Sequence, residues 1–175
     1  LTQVAIMLTH NTATVFFPLA LNLSIFGAIL YRRFSGKQVS LRAVNADRFP
    51  RNWLIIQGVA FMLWLPWAIP FVVQSIRVEQ EFWIGAPDLW RINDTLKSLS
   101  FAHLPGWMPT APLLLFYALL VGAGVFYMRR KAAWTLLLLS LMLTPFVGEL
   151  LVSLRRPIFY DRTLIWTMLP FIMLI

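Results

Sequence analysis

Residues 111–154 read APLLLFYALLVGAGVFYM-RRK-AAWTLLLLSLMLTPFVGELLVSL, which is two apolar runs on either side of one basic triplet. Each run is close to the length of about 20 residues that a helix needs to cross the hydrocarbon core of a bilayer. The triplet Arg129-Arg130-Lys131 would be costly inside that core, so it predicts a tight turn at the membrane surface. The stretch therefore predicts two membrane helices, 111–128 and 132–154.

The whole chain has the composition of an integral membrane protein. Of its 175 residues, 59% are hydrophobic and 13% are charged, and the mean hydropathy is +0.73, well outside the range of soluble domains. The formal net charge of +8 lies between apolar runs, which indicates membrane topology rather than nucleic-acid binding. The absence of cysteine excludes a disulfide framework, a thiolate metal site and a cysteine nucleophile.

Further apolar runs extend this pattern to four full spans and the start of a fifth. The predicted fold is an all-α, polytopic transmembrane bundle that forms part of one domain over residues 1–175, truncated at both ends. The predicted spans are 12–31, 53–76, 111–128, 132–154 and 163–175. Pro66 and Pro70 predict a kink in the second span, and Thr144-Pro145 predicts an interruption of the fourth.

The charges in the loops assign each loop to one side of the membrane. Residues 32–51 hold six basic side chains against Asp47 alone, and the basic triplet follows the third span, so both loops are predicted to be cytoplasmic. The loop 77–110, with four acidic and three basic residues, is predicted to lie outside. Within this outer loop, residues 88–101 have the spacing of a short amphipathic helix on the membrane surface.

The last loop does not follow this charge pattern. Arg155, Arg156 and Arg162 are accompanied only by Asp161 on the predicted outer side. Guanidinium groups bind phosphate oxygens in a planar, bidentate way and keep their charge, so the cluster suits an anionic lipid headgroup or a phosphate. In the alternative interpretation, these arginines only anchor the ends of helices by extending towards lipid headgroups.

Two further ionisable residues lie near the predicted outer face. Glu149 falls inside a span, where a charge is costly, and it either pairs with Arg155 or Arg156 about two turns later or faces a functional cavity. His10 lies at the mouth of the first span, as a hydrogen-bonded interfacial residue or as a contact to a phosphate or sugar. The other histidine, His103, is in a different loop, so the spacing predicts no metal site, and no cofactor is predicted.

Three stretches give the chain a resemblance to a known family. They are Leu8-Thr9-His10-Asn11-Thr12 with Phe16-Phe17 and Asn22-Leu23; Trp53-Leu54 with Gln57, Leu65-Pro66-Trp67, Gln74 and Phe82-Trp83-Ile84; and PIFYDRTL at 157–164 with Pro170. Their order resembles the C-terminal part of the membrane module of GT-C glycosyltransferases, specifically the bacterial relatives of dolichyl-phosphate-mannose protein mannosyltransferases. The match departs at Thr163, where the family most often has tyrosine.

The resemblance implies a multi-pass enzyme of the bacterial inner (plasma) membrane, in contact with membrane lipids. Such an enzyme transfers a hexosyl or pentosyl group from a polyprenyl-phosphate-linked donor to an acceptor lipid, glycan or protein on the extracytoplasmic face. By position, Arg162 is the leading ligand of the donor phosphate, with Arg155, Arg156 and His10 as weaker neighbours. The family's general base is an acidic residue in an earlier outer loop, so no catalytic residue is predicted in this chain. A competing hypothesis is a lipid-phosphate transporter or a non-catalytic structural membrane subunit.

Overall fold

A computed structural model describes residues 2–9, 11–35, 49–81, 87–101, 109–155, 158–159 and 161–175. Helix accounts for 94% of these residues and none is in a strand, which confirms the predicted all-α class. The α-helices are α1 (Thr2–Thr9), α2 (Asn11–Ser35), α3 (Phe49–Trp64), α4 (Ala68–Glu81), α5 (Leu89–Phe101), α6 (Thr110–Met128), α7 (Ala132–Ser153), α8 (Asp161–Leu164) and α9 (Met168–Leu174). Short 3₁₀ turns, Leu65–Trp67, Arg129–Lys131 and Ile165–Thr167, connect α3 to α4, α6 to α7 and α8 to α9.

The surface of the long helices is apolar. In the described part of the chain, three helical stretches are long and apolar enough to cross a membrane, namely Asn11–Tyr31, Arg51–Arg77 and Thr110–Ser153. Large side chains along the second stretch are exposed, with Leu54 at 70%, Met62 at 64% and Ile69 at 76%. A soluble monomer rarely exposes a continuous apolar face of this kind. The chain is therefore a membrane protein whose outer surface suits lipid.

Helices α2 and α7 pack against each other in antiparallel orientation. Phe16 lies against Gly148 towards one end of the pair, and Leu136 lies against Gly27 towards the other. A Cβ atom added to Gly148 would overlap the ring of Phe16. The glycine is therefore what allows the helices to approach so closely. The α2 residues buried along the same face are Ala13, Phe16, Ala20 and Ser24.

The segment 161–174 runs parallel to α2. The hydroxyl of Thr12 donates to the carbonyl oxygen of Thr163 over 3.2 Å, and the rings of Phe17 and Trp166 meet edge to face further along both segments. We call the end of the bundle that contains Thr12, Glu149 and Thr163 the Thr163 end. The opposite end, which contains the turn Arg129–Lys131, is called the triplet end.

Helix α6 also runs parallel to the segment 161–174. Tyr117 packs on Phe171 with ring centroids 5.8 Å apart, and seven residues later Gly124 meets the backbone of Leu174. Because α7 is antiparallel to α2, α6 and α7 have opposite directions. The stretch Thr110–Ser153 therefore reverses at its basic triplet, as the sequence predicts.

Two helical corners are closed by the same type of hydrogen bond. The hydroxyl of Thr135 donates to the carbonyl oxygen of Met128 over 2.9 Å, and that of Thr14 donates to the carbonyl oxygen of Met7 over 2.7 Å. In a straight helix, seven residues would separate such groups by about 10 Å along the axis. Both bonds therefore require a sharp turn. The Thr14–Met7 corner joins α1 to α2, and the sequence does not predict α1.

Two proline positions behave differently. The 3₁₀ turn Leu65–Trp67 includes Pro66 and changes the helical geometry between α3 and α4, whereas Pro70 lies inside α4; the kink predicted at these prolines stays a prediction. The predicted interruption at Thr144-Pro145 is wrong, because α7 continues from Ala132 to Ser153 with Pro145 buried inside it. A proline in a membrane helix removes one backbone donor, and neighbouring helices can compensate for the freed carbonyl group.

Candidate functional site

The structure describes the predicted phosphate ligands unequally. His10 and Arg156 lie outside the described residues, and only the backbone of Arg162 is described, in α8. Arg155 lies in the turn directly after α7, where its side chain is exposed and its N–H donates to the carbonyl oxygen of Val152 over 3.0 Å. The backbones of Arg155 and Arg162 therefore lie at the same end of the bundle. The grouping of their guanidinium groups stays a prediction.

The chain after α7 is held by the buried hydroxyl group of Ser153. Its oxygen accepts hydrogen bonds from the backbone N–H groups of Ile158, over 2.9 Å, and Phe159, over 2.8 Å. Phe159 is fully buried, and its ring meets that of Phe146 edge to face at 5.3 Å. One hydroxyl group thus satisfies two backbone donors in the turn and fixes the local path of the chain.

Glu149 provides a second attachment, one helical turn before Ser153. Its side chain is fully buried, and the hydroxyl of Thr163 donates to Oε2 over 2.5 Å. The same hydroxyl group lies 3.4 Å from the carbonyl oxygen of Ile158, so the carboxyl group is the nearer acceptor. The Thr163 carbonyl in turn accepts from Thr12. Thr163 therefore connects the start of the last segment to both α7 and α2.

This pairing bears on the two interpretations of Glu149. Within the described residues, Arg155 has an exposed side chain and makes no ion pair with Glu149. The alternative pairing of Glu149 with Arg156 lies outside the described residues and stays a prediction. The carboxyl group is enclosed by protein and is therefore not directed into an open, water-filled cleft. The hydrogen bond to Thr163 is a contact that sequence analysis did not predict. A possible signal was the placement of Glu149 and Ser153 at i and i+4 in an apolar run, which puts both on one helix face.

Other polar groups surround this end of the bundle. The side-chain amide of Asn11 donates to Oε1 of Gln74 over 2.9 Å and joins α2 to α4. Asp88 caps α5, because its Oδ1 accepts from the backbone N–H of Arg91 over 2.7 Å. Helix α5 packs against α6 and α8. Arg155 and the backbone of Arg162 thus lie at an end where α4 is hydrogen-bonded to α2 and α5 packs against α8.

The chemistry available at the Thr163 end is anion binding. Arginine keeps its charge and offers several N–H donors, and the exposed Arg155 has its backbone N–H bonded to the carbonyl oxygen of Val152. No group of three or more His, Cys, Asp or Glu side chains that could hold a metal ion occurs in the part of the chain that the structure describes.

Comparisons with family models, curated proteins and solved structures gave no match to this chain. The likeness to GT-C glycosyltransferases therefore stays a prediction from the motif residues.

Proposed function

We propose that this chain is part of a membrane glycosyltransferase that uses a polyprenyl-phosphate-linked sugar as donor. The carrying observation is that two buried polar side chains of α7 bind the chain on both sides of Arg162. Ser153 binds the backbone of Ile158 and Phe159, and Glu149 binds Thr163, which directly follows Arg162 in α8. An arginine that only anchors a helix end reaches the headgroups with a flexible side chain and needs no fixed backbone. A fixed backbone is what a preorganised anion site requires.

The proposal includes a multi-pass topology in the plasma membrane, with four full spans and the start of a fifth. It is supported by the antiparallel packing of α2 and α7, the reversal at the basic triplet, and the parallel course of α2, α6 and residues 161–174. Arg33 ends α2 at the triplet end, and basic residues favour the cytoplasmic side. The Thr163 end is then extracytoplasmic.

Helix α5 fits this topology as an amphipathic helix on the extracytoplasmic surface. It begins at a capping aspartate, Asp88, and packs against α8, which contains Arg162. Leu89 and Trp90 are exposed at its start. An apolar and aromatic helix start of this kind suits the interface between headgroups and acyl chains.

In the proposed reaction, an acceptor oxygen attacks the anomeric carbon of the donor sugar. The bond between that carbon and the phosphate oxygen breaks, its electron pair stays on the phosphate, and polyprenyl phosphate leaves. Arg162, with Arg155, Arg156 and His10 as neighbours, would bind the phosphate and stabilise the negative charge that develops on it. The acceptor proton goes to a base that the family resemblance assigns to an earlier outer loop.

The test is Arg162→Ala in the full-length protein, reconstituted in phosphatidylcholine nanodiscs. Affinity for a synthetic polyprenyl monophosphate should fall by about tenfold or more, the loss of a charged hydrogen-bonded contact. Arg130→Ala is the matched control, since it removes an exposed arginine from the triplet end and should leave affinity unchanged. Equal affinities in the two variants would refute the phosphate assignment.

A second measurement separates the transferase from the competing hypothesis. Sugar release from a polyprenyl-phosphate-linked donor should depend on Arg162 in the same way as binding. Binding of the lipid phosphate that depends on Arg162, without any release of sugar, would instead favour a lipid-phosphate transporter or a structural subunit.

A further inference from the structure

We infer that Glu149 and Ser153, one turn apart on α7, are positioning residues for the binding of a lipid phosphate. They hold Ile158, Phe159 and Thr163 in the backbone geometry that this binding requires. This inference rests on the proposed function and extends it to residues that do not touch the ligand. Glu149 and Ser153 would thus form a buried support for these residues.

The two attachments act on opposite ends of a short piece of chain. Ser153 binds the backbone N–H groups of residues 158 and 159, and Glu149 binds the side chain of Thr163. The backbone of Arg162 adjoins the second attachment directly, since it precedes Thr163 in α8. Fixing both sides of a segment removes the conformational freedom that a ligand would otherwise have to restrict on binding.

The chemical nature of the two side chains also argues for a specific use. Glu149 is fully buried and Ser153 is 1% exposed, and Glu149 is the one ionisable residue in α7 (Ala132–Ser153). Burying a carboxyl group in a membrane helix is costly, and such residues commonly mark functional sites. An apolar pair at these positions would fill the same helix face but could not accept hydrogen bonds from the turn.

A purely structural role makes a different prediction, and the chain contains a matched control for it. Thr167 lies four residues after the half-buried Thr163, is itself buried, and donates its hydroxyl proton to the carbonyl oxygen of Leu164 over 2.7 Å. Thr167→Val thus removes one buried hydrogen bond from the same segment without changing the attachment to α7. Thr163→Val removes the attachment, and Thr163→Ser keeps the hydroxyl group.

The ligand-binding experiment compares two lipids that differ only in the phosphate. Full-length variants in phosphatidylcholine nanodiscs are titrated with a synthetic polyprenyl monophosphate and with the neutral polyprenol. Thr163→Val and Ser153→Ala should each lower the preference for the phosphate by about fivefold to tenfold, because the first removes the hydroxyl that donates to Glu149 and the second removes the acceptor of two backbone N–H groups. Thr163→Ser should restore it, and Thr167→Val should leave it unchanged. A loss of affinity for both lipids alike would overturn the positioning role.

The second experiment examines the attachment without any ligand. Hydrogen exchange of the backbone amides of Ile158 and Phe159 should become faster in Ser153→Ala, because both donate to the Ser153 hydroxyl. Unchanged exchange would overturn the attachment, and faster exchange with unchanged phosphate preference would overturn its role in binding. A failure of the proposed function can be distinguished from these outcomes. In that case, the Arg162→Ala variant would keep the full preference for the phosphate lipid.

Discussion

The two ends of the α2–α7 pair both carry basic turns, but the turns are built in different ways. At the triplet end, the contacts are local. Thr135 binds Met128 seven residues earlier, and the guanidinium of Arg129 lies 3.8 Å above the ring centre of Phe126. At the Thr163 end, Thr12 binds the backbone of a residue 151 positions away in the chain. The first turn closes on itself, whereas the second depends on the assembled bundle.

This difference separates two uses of basic residues in a membrane protein. Arg130 and Lys131 are exposed at the triplet end. The proposed topology assigns this end to the cytoplasm, and the bias of positive charge towards that side would then account for both residues without a further contact. The turn after α7 instead engages buried polar groups of the helix that precedes it. Local contacts suit a topological signal, and tertiary contacts suit a binding site whose geometry must be kept.

The largest expected difference lies in the packing of α2 on α7 at the two ends. Gly148→Ala should reduce the free energy of unfolding by about 1–3 kcal/mol, the usual range for overpacking, because the new Cβ overlaps the buried ring of Phe16. Gly27→Ala is the matched change at the other end, where the nearest atoms of Leu136 lie at 3.8 Å. It should be neutral or stabilising, by up to about 1 kcal/mol of helix propensity. Denaturation in detergent micelles would measure both, and equal losses would contradict the contrast.

A smaller effect is expected from the polar pair at the Thr163 end. A double-mutant cycle of Glu149→Leu and Thr163→Val should give a coupling free energy of about 1–2 kcal/mol, because the half-buried Thr163 hydroxyl donates to the fully buried Glu149 carboxyl group. The unfolding free energies of the two single variants and the double variant supply the measurement. Strict additivity would show that the two side chains contribute independently and would remove the basis for the second attachment.

The smallest effect is expected from the corresponding cycle at the triplet end. Arg129→Gln and Phe126→Leu should couple by less than about 0.5 kcal/mol, because the cation and the ring are both exposed to solvent or headgroups. The same unfolding assay applies. A coupling as large as that between Glu149 and Thr163 would mean that the two turns are held with similar strength.

Much of the fold could be predicted from the sequence because membrane spans are set by local energetics. The predicted span 111–128 matches α6 (Thr110–Met128), and the predicted span 132–154 matches α7 (Ala132–Ser153). Length, hydropathy and flanking charge define such segments without reference to the rest of the chain. The error at Pro145 arose because proline was given the weight that it has in isolated helices, whereas a packed membrane helix tolerates it.

The candidate site could be predicted only in part. Charge counting located Arg155 and Arg162 at an unusual position, and hydropathy marked Glu149 as an anomaly. Ser153 was missed, since a serine near the end of an apolar run is common and carries no charge signal. Its two backbone donors, at Ile158 and Phe159, follow from the way the chain turns back on α7.

The sequence by itself determined that this is a membrane protein, that it is helical, and that a basic turn separates α6 from α7. Each of these depends on the cost of placing a given side chain at a given depth in a bilayer, which is a property of short segments. Only the tertiary structure decided that Glu149 meets Thr163 and that Gly148 must make room for Phe16. Those contacts depend on which helix faces pack against each other. That packing is decided by many residues from different helices at once, and not by any short segment.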